Sequence, residues 1–210
     1  MKPSLPLGAF DLCLVPAHDF QIPPQRGNLI LTQGALNRVT PPTVAARSGG
    51  LILIGGPSAT HGWDEQGLLA ALQKISASGD WQLTDSRRTP AGFIQELKKQ
   101  LPGIEIFPHQ ETRPEWLPAK LARAAEVWVT EDSVSMIYEA LSSGAHVGLL
   151  EMPRTASDSR VLRGLDALVS QRFLSVFSEW RVNGKLNPPP AILREADRCA
   201  DEVISRWCPK

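Results

Sequence analysis

Polar segments suited to phosphate binding follow three of the apolar runs in this 210-residue sequence. The first has adjacent glycines followed by hydroxyl side chains, the second has adjacent arginines, and the third has acidic and hydroxyl residues where a helical pattern starts. Glycines let backbone amides approach an anion, and a guanidinium group binds two phosphate oxygens at once. The candidate anion-binding residues are Gly55, Gly56, Ser58, Arg87, Arg88, Thr89, Asp132, Ser133, Ser135 and Met136.

Each of these segments also has an ordinary structural explanation. The glycine segment is neither GxGxxG nor a Walker loop, so it could form a plain turn between a strand and a helix. One arginine could pair with Asp85 while the other is solvated. Asp132 or Ser133 could cap the helix that follows. The residues alone leave both explanations open.

Two further positions carry groups that could take part in chemistry. Glu139 lies one or two turns into the third helical pattern, where it could hold ribose hydroxyls or be an ordinary surface glutamate. His18 is the candidate catalytic base, with Asp19 as its orienting carboxylate, although a simple loop hydrogen bond is the alternative. No GxSxG motif is present, and the histidines lack zinc-ligand spacing, so we expect neither a Ser-His-Asp hydrolase nor a metal site.

Alternating strand and helix patterns from Leu51 onward must position these segments. The predicted strands are residues 51–56, 81–84, 104–107, 127–130 and 147–150, and the predicted helices are residues 64–76, 91–100, 115–125, 133–143, 162–170 and 191–207. This alternation predicts an α/β fold with a Rossmann-like, doubly wound parallel sheet. Ligands bind such sheets at the carboxyl ends of the strands, so we expect the three polar segments to converge there.

The two ends of the chain differ from this central pattern. Residues 10–16 and 28–31 are apolar runs of strand length, and residues 41–50 have the prolines, small residues and glycines of a linker. Because two strands do not make a stable sheet alone, residues 1–40 should dock on the main domain or pair with a second copy in a homodimer. The closing helix should pack through one apolar face, made of Ile192, Ala196, Cys199, Val203 and Trp207.

Composition excludes several classes of protein. Lysine plus arginine equals aspartate plus glutamate at 22 each, so we expect no nucleic-acid partner. No apolar run approaches the length of a transmembrane helix. The three cysteines are an odd number without CxxC spacing, which fits a reduced cytoplasmic protein.

Five segments together resemble the mitochondrial fission "elongated mitochondria" family, whose bacterial members are of unknown function. In order they are VPAHD, ILTQGALNRV, IGGPSATHGWD, DSRRTP and VWVTEDSVSMIYEALSSGAHVGLLEMPR, and the resemblance covers roughly residues 10–205. That family in turn looks like glycosyltransferases of the GT-B fold, in which two Rossmann-like domains face a cleft and the C-terminal one binds the nucleotide-sugar donor. The resemblance implies a remnant of the N-terminal domain at 1–40, a nucleotide-sugar-binding domain at 51–190 and a crossing helix at 191–210.

The resemblance also implies roles for residues of the third segment. By similarity to the donor-binding helix of heptosyltransferases and of the lipid II-forming GlcNAc transferase, Ser133, Val134 and Ser135 would contact the diphosphate and Glu139 the ribose. The match is incomplete, because the Ser-Gly or Asp-Ser-Gly signature of those enzymes reads Asp-Ser-Val here.

Two functions follow from the resemblance. The first is a GT-B-like glycosyltransferase, or its donor-binding half, with a nucleoside-diphosphate sugar as substrate and no cofactor. The alternative is a non-catalytic adaptor, implied by the fission role of plant relatives, which recruits a dynamin-like GTPase in peripheral association with a membrane. The polar segments favour the first function, and the shortened acceptor side of the cleft favours the second. The sequence leaves enzymatic activity open.

Overall fold

The computed structural model describes residues 2–41, 47–156 and 159–207, which form two parallel β-sheets and seven α-helices. The strands are β1 (Cys13–Pro16), β2 (Leu29–Thr32), β3 (Gly50–Leu53), β4 (Trp81–Thr84), β5 (Glu105–Phe107), β6 (Glu126–Thr130), β7 (His146–Leu150) and β8 (Leu174–Val176). The helices are α1 (Glu65–Ser76), α2 (Phe93–Gln100), α3 (Trp116–Leu121), α4 (Val134–Ser143), α5 (Arg160–Ser170), α6 (Phe177–Asn183) and α7 (Glu195–Trp207).

The larger sheet has six parallel strands in the order β5-β4-β3-β6-β7-β8. The chain starts at β3, moves outward to β5, and then crosses back to β6 on the other side of β3. This order confirms the predicted Rossmann-like doubly wound sheet. It also places the switch point, where ligands bind in such folds, at the carboxyl ends of β3 and β6.

Two apolar cores cover the two faces of this sheet. Leu51 and Leu53 of β3 point into the core that α3, α4 and α5 complete, whereas Ile52 and Ile54 point into the core under α1, α2 and α6. Every one of these side chains is at most 1% exposed. Because both faces are buried, the strands are continuous apolar runs rather than alternating ones.

The predicted elements are confirmed in type, although several differ in extent and two short elements were not predicted; the closing helix, for example, begins at Glu195 and not at residue 191. The sequence did not predict β8 or α6, which have only three and seven residues and are too short for a periodic pattern to stand out. Helix α3 ends at Leu121, four residues before the predicted end, because the chain must turn there into β6. In that turn the Ala125 amide already donates to the Gly49 carbonyl at 3.1 Å.

The N-terminal segment docks on the main domain. Strands β1 and β2 pair in parallel. Gly34, which follows β2, has a φ of +95° and packs against the Tyr138 ring of α4, where a Cβ atom would lie 1.9 Å from the ring. The Asn37 amide donates to Ser142 Oγ of α4 at 2.9 Å. Of the predicted linker, residues 42–46 lie outside the described residues.

The prediction that the closing helix packs through its apolar face is largely wrong. Of its five residues only Cys199 is buried, and Trp207 is 51% exposed. Polar contacts to residues 27–33 hold α7 instead, through Glu195, Arg198 and Arg206. These contacts cross from the last helix back to the second strand. An amphipathic pattern therefore predicted the helix but not the side that would be covered.

Candidate functional site

The segment after β3 and the segment after β6 are bonded to each other at the switch point. The Gly55 amide donates to Thr130 Oγ1 at 2.7 Å, and the Gly56 amide donates to Asp132 Oδ2 at 2.9 Å. A Cβ atom on Gly55 would lie 2.1 Å from the Asp132 and Ser133 side chains. Glycine is required at this position because side chains of the β6 segment fill the adjoining space. The two predicted amide donors are thus engaged by protein groups.

Arg88, from the segment after β4, closes this network. Its Nη2 atom lies 2.8 Å from Asp132 Oδ2 and 3.1 Å from Ser133 Oγ, and its Nη1 donates to the Gly56 carbonyl at 2.7 Å. Thr89 Oγ1 donates to the Gly55 carbonyl at 2.5 Å. The alternative in which an arginine pairs with Asp85 is wrong, because Arg88 pairs with Asp132 and Asp85 contacts His109.

Beside this network lies a cavity of about 750 Å³ at the N-terminus of α4. Its lining residues are Asp85, Ser86, Arg87, Arg88, His109, Asp132, Ser133, Val134, Ser135 and Met136. The cavity brings together the second and third predicted segments. It does not include Ser58, whose hydroxyl accepts hydrogen bonds from the Thr60 and His61 amides within its own turn.

The first turn of α4 lines this cavity and has no side-chain cap among the described residues. Asp64 caps α1 and Ser159 caps α5 by accepting hydrogen bonds from backbone amides. The expected cap of α4 is absent among the described residues, because Ser133 at the N-cap position donates its hydroxyl to Asp132 Oδ2 at 3.1 Å instead. Uncapped amides and the positive end of the helix dipole favour an anion at this end of α4.

Arg87 differs from its neighbour in having a free charge. It is exposed, lines the cavity, and makes no ion pair with any described residue. An exposed guanidinium at the mouth of the cavity can turn toward a bound phosphate group without breaking an existing contact.

A histidine–aspartate pair that the sequence did not single out also lines the cavity. Asp85 follows β4 and His109 follows β5, and Asp85 Oδ1 lies 3.0 Å from His109 Nδ1 and 2.6 Å from the His109 amide. Both residues stand at the carboxyl ends of strands, which is the signal that could have identified them. The pair holds the imidazole in one orientation at the cavity wall.

Glu139 lies in an adjoining groove rather than in the cavity itself. The groove has a volume of about 400 Å³ and shares Ser135 with the cavity. Burial raises the pKa of the Glu139 carboxyl above its ordinary value. A ligand that spans both spaces would pass over Ser135, one turn before Glu139.

His18 and Asp19 stand apart from the cavity, in a short 3₁₀ helix of residues Ala17–Asp19. His18 lines a separate pocket of about 560 Å³, where its ring is parallel to that of Tyr138 at 6.4 Å. Burial lowers the pKa of His18, and the Asp19 carboxylate only partly opposes this effect. Asp19 accepts a hydrogen bond from the Lys2 amide at 2.7 Å and lies 3.6 Å from Arg160 Nε.

A second buried charge, Glu131, precedes Asp132 in the segment after β6. Glu131 is 2% exposed and accepts hydrogen bonds from the Met152 amide at 3.1 Å and from Arg154 Nε at 2.8 Å. His61 Nε2 is 3.7 Å from this carboxylate. This cluster holds the segments after β3, β6 and β7 together. In the described ranges, no helix is long and apolar enough to cross a bilayer, and no group of histidine, cysteine and acidic side chains is arranged to hold a metal ion.

Comparisons with known proteins agree with this architecture. The sequence model of the family described as mitochondrial fission ELM1 matches residues 1–207. MurG from Acinetobacter baumannii is similar in structure with a TM-score of 0.50 at 8% identity, over 93% of this chain and 61% of the MurG chain. The shared fold is the Rossmann-like half of a GT-B glycosyltransferase. This chain therefore spans about three fifths of the length of the MurG chain.

Two other solved structures match more weakly. AviGT4, a glycosyltransferase involved in avilamycin A biosynthesis, has a TM-score of 0.39 at 15% identity over 79% of this chain and 53% of its own. UGT2 from Phytolacca americana, solved with UDP-2-fluoro-glucose and pterostilbene, has a TM-score of 0.36 at 16% identity over 74% of this chain and 31% of its own. No curated protein sequence matches the chain.

Proposed function

This chain belongs to the mitochondrial fission ELM1 family, and we propose that it binds a nucleoside-diphosphate sugar at the α4 cavity, as the donor-binding half of a GT-B-like glycosyltransferase. The observation that carries this proposal is the N-terminus of α4, which has no side-chain cap among the described residues and lines the same cavity as the exposed Arg87. Amide donors and an exposed guanidinium that line one cavity suit a phosphate group.

The rest of the donor follows from the shape of the site. With the diphosphate at the start of α4, the ribose would lie in the adjoining groove, where Glu139 can accept hydrogen bonds from its hydroxyls. Burial removes solvating water from the Glu139 carboxylate and so raises its pKa. Hydrogen bonds from ribose hydroxyl groups would replace part of that lost solvation. This assignment uses the helix spacing of Ser135 and Glu139, which places both on one face of α4.

The transfer step needs stabilisation of a leaving group. The bond between the anomeric carbon and the diphosphate oxygen breaks, its electron pair stays on the diphosphate, and an acceptor hydroxyl attacks the anomeric carbon and gives its proton to a base. Arg87 and the α4 amides would stabilise the charge that develops on the diphosphate. The sequence offered His18 for this base, and its lowered pKa keeps the imidazole neutral at pH 7. His18 lines the separate pocket and not the α4 cavity, so its part in the step depends on an acceptor that extends into that pocket.

Calorimetric titration with uridine diphosphate tests the donor site. We expect Arg87→Ala to weaken binding by one to two orders of magnitude, which corresponds to the loss of about 1.5–3 kcal/mol for a hydrogen bond to a charged group. Arg181→Ala removes an exposed arginine of α6 and serves as the charge-matched control, which should bind like wild type. Equal affinity of the Arg87→Ala variant and wild type would contradict the proposed site.

A non-catalytic interaction module is the second candidate function. It is favoured by the exposed apolar side chains of α7, where Val203, Ile204 and Trp207 are 36%, 55% and 51% exposed. Apolar side chains grouped on one helix are typical of protein-binding surfaces. If wild-type protein binds no nucleoside diphosphate at millimolar concentration, this second function is favoured over the first.

A further inference from the structure

We propose that the Asp132 carboxylate is a resident anion of the α4 cavity, which fills one anion subsite and so limits the negative charge of the ligand that the cavity accepts. This inference deepens the proposed function and rests on the cavity being an anion site. It assigns Asp132 as a specificity-determining residue rather than as a donor to the phosphate.

The contacts of Asp132 are those that a phosphate oxygen would make. Its Oδ2 atom receives the Gly56 amide at 2.9 Å, the Ser133 hydroxyl at 3.1 Å and Arg88 Nη2 at 2.8 Å. A glycine amide, a hydroxyl and a guanidinium converging on one oxygen are the donors that the sequence suggested for a bound anion. The chain supplies that anion itself, from a side chain that is 0% exposed.

This occupation explains why Ser133 fails to cap α4. The hydroxyl is turned to Asp132, so the first amides of α4 stay free although a serine stands at the N-cap position. Asp132 therefore does two things at once. It withdraws Arg88 and Gly56 from the ligand, and it leaves the α4 amides available to it.

The charges around the cavity limit how much negative charge a ligand can carry. Asp85 and Asp132 carry two negative charges on its walls, and Arg87 and Arg88 carry two positive ones, with His109 hydrogen-bonded to Asp85. Arg88 is already paired, so Arg87 is the cation left for a ligand. The second oxygen of Asp132, Oδ1, is buried and has no hydrogen-bond partner among the described residues. An unpartnered carboxylate oxygen repels a fully ionised phosphate group nearby.

Removal of this one charge with little change of shape tests the inference. Inorganic pyrophosphate is the probe, because it is strongly charged and carries no nucleoside. We expect Asp132→Asn to bind pyrophosphate at least tenfold more tightly than wild type by calorimetry. The asparagine oxygen can still accept from Gly56, while Arg88 loses its anionic partner and keeps uncharged acceptors such as the Gly56 carbonyl and Ser133 Oγ, so its charge is no longer neutralised. Unchanged or weaker binding would overturn the inference, because a purely supporting role for Asp132 predicts a loss.

Two further variants complete the test. Asp11→Asn makes the same change in net charge at an exposed position outside the cavity and should leave pyrophosphate affinity unchanged. The double variant Arg88→Gln/Asp132→Asn removes the pair together, so no buried charge is left alone if the single variant folds poorly. It should bind pyrophosphate at least as tightly as wild type despite one arginine fewer, and weaker binding would contradict the inference.

These outcomes are separable from the test of the donor site. If uridine diphosphate binding is insensitive to Arg87→Ala, the proposed function fails, whereas a gain of pyrophosphate binding in Asp132→Asn still supports the resident anion. If Arg87→Ala weakens uridine diphosphate binding but Asp132→Asn gains nothing, the donor site stands and the inference about Asp132 fails.

Discussion

Two of the regions in which charged side chains join separate parts of the chain, the switch point and the contact of α7 with the N-terminal segment, differ in how much water reaches their carboxylates. At the switch point, the Asp132 side chain is 0% exposed and receives three donors, and its partner Arg88 is 41% exposed. Where α7 meets the N-terminal segment, Glu195 is 14% exposed and its partner Arg198 is 48% exposed. Breaking a fully buried pair typically costs about 3–5 kcal/mol, whereas an exposed pair contributes about 1 kcal/mol or less. The Asp132–Arg88 pair lies between these limits, because only its carboxylate is buried.

The difference in carboxylate burial indicates that the switch point is the more rigidly fixed of the two regions. The switch-point network fixes the segments after β3, β4 and β6 relative to one another, so the cavity has a defined shape before a ligand arrives. Such preorganisation is what electrostatic stabilisation of a leaving group requires. The α7 contacts tie the N-terminal segment with hydrogen bonds that water can replace, so they fix its position less strongly.

The largest effect should come from filling the space at Gly56. A Cβ atom there would lie 1.9 Å from the Arg88 carbonyl oxygen, which belongs to the backbone and cannot swing away. We expect Gly56→Ala to lower the free energy of unfolding by about 1–3 kcal/mol, the usual range for overpacking, and to abolish uridine diphosphate binding. Urea unfolding and calorimetry measure the two effects.

Gly79→Ala is the matched control for this prediction. Gly79 is exposed, and a Cβ atom there would have no neighbour within 4 Å. The control should change stability by less than about 0.5 kcal/mol. Similar losses in both variants would mean that the switch point is no more tightly packed than the surface, and the contrast between the two regions would be lost.

A smaller effect is expected at the α7 contact, with a definite dependence on pH. Burial alone would raise the pKa of Glu195, but hydrogen bonds from Arg198 and the Gln33 amide outweigh it and hold the pKa below its ordinary value of 4.5. The ionised form is therefore favoured in the folded state. Its contribution is complete above pH 4.5 and is lost as the pH falls through the lower pKa of the folded protein.

Glu195→Gln should accordingly destabilise the protein by about 1 kcal/mol at pH 7, and the difference from wild type should shrink below pH 4.5. Urea unfolding at a series of pH values measures both. Asp197→Asn is the control, since Asp197 pairs with Arg194 at the same spacing on α7. A difference that grows toward acid pH would reverse the sign and contradict the assignment.

The sequence predicted the parts of this molecule that depend on local pattern. The apolar runs gave β3, β4, β6 and β7, and Gly144, in the left-handed conformation at φ +78°, ends α4 where the sequence predicts it. The predicted cluster of polar segments at one sheet edge also follows from local pattern, because parallel strands share one carboxyl edge. Arg87, Ser133 and Ser135 accordingly line one cavity.

Local sequence pattern could not predict which side chains of distant segments pair with each other. Arg88 and Asp132 are separated by 44 positions, and nothing near either residue indicates that they pair. The Asp85–His109 contact, 24 positions apart, is of the same kind. The apolar face of α7 failed for a related reason: periodicity identifies a face, but tertiary structure decides whether anything covers it.

The smallest effect is expected at Trp207, in the last turn of α7. A buried tryptophan replaced by alanine costs about 3–5 kcal/mol, but Trp207 is 51% exposed, so Trp207→Ala should cost less than about 0.5 kcal/mol in urea unfolding. Cys199→Ala is the internal comparison, because it truncates a much smaller side chain that is 2% exposed on the same helix. We expect Cys199→Ala to cost more than Trp207→Ala, since burial and not size decides the loss. A loss of about 3 kcal/mol or more at Trp207 would mean that another surface covers this end of α7 in solution. The α7 region would then not be more exposed than the switch point.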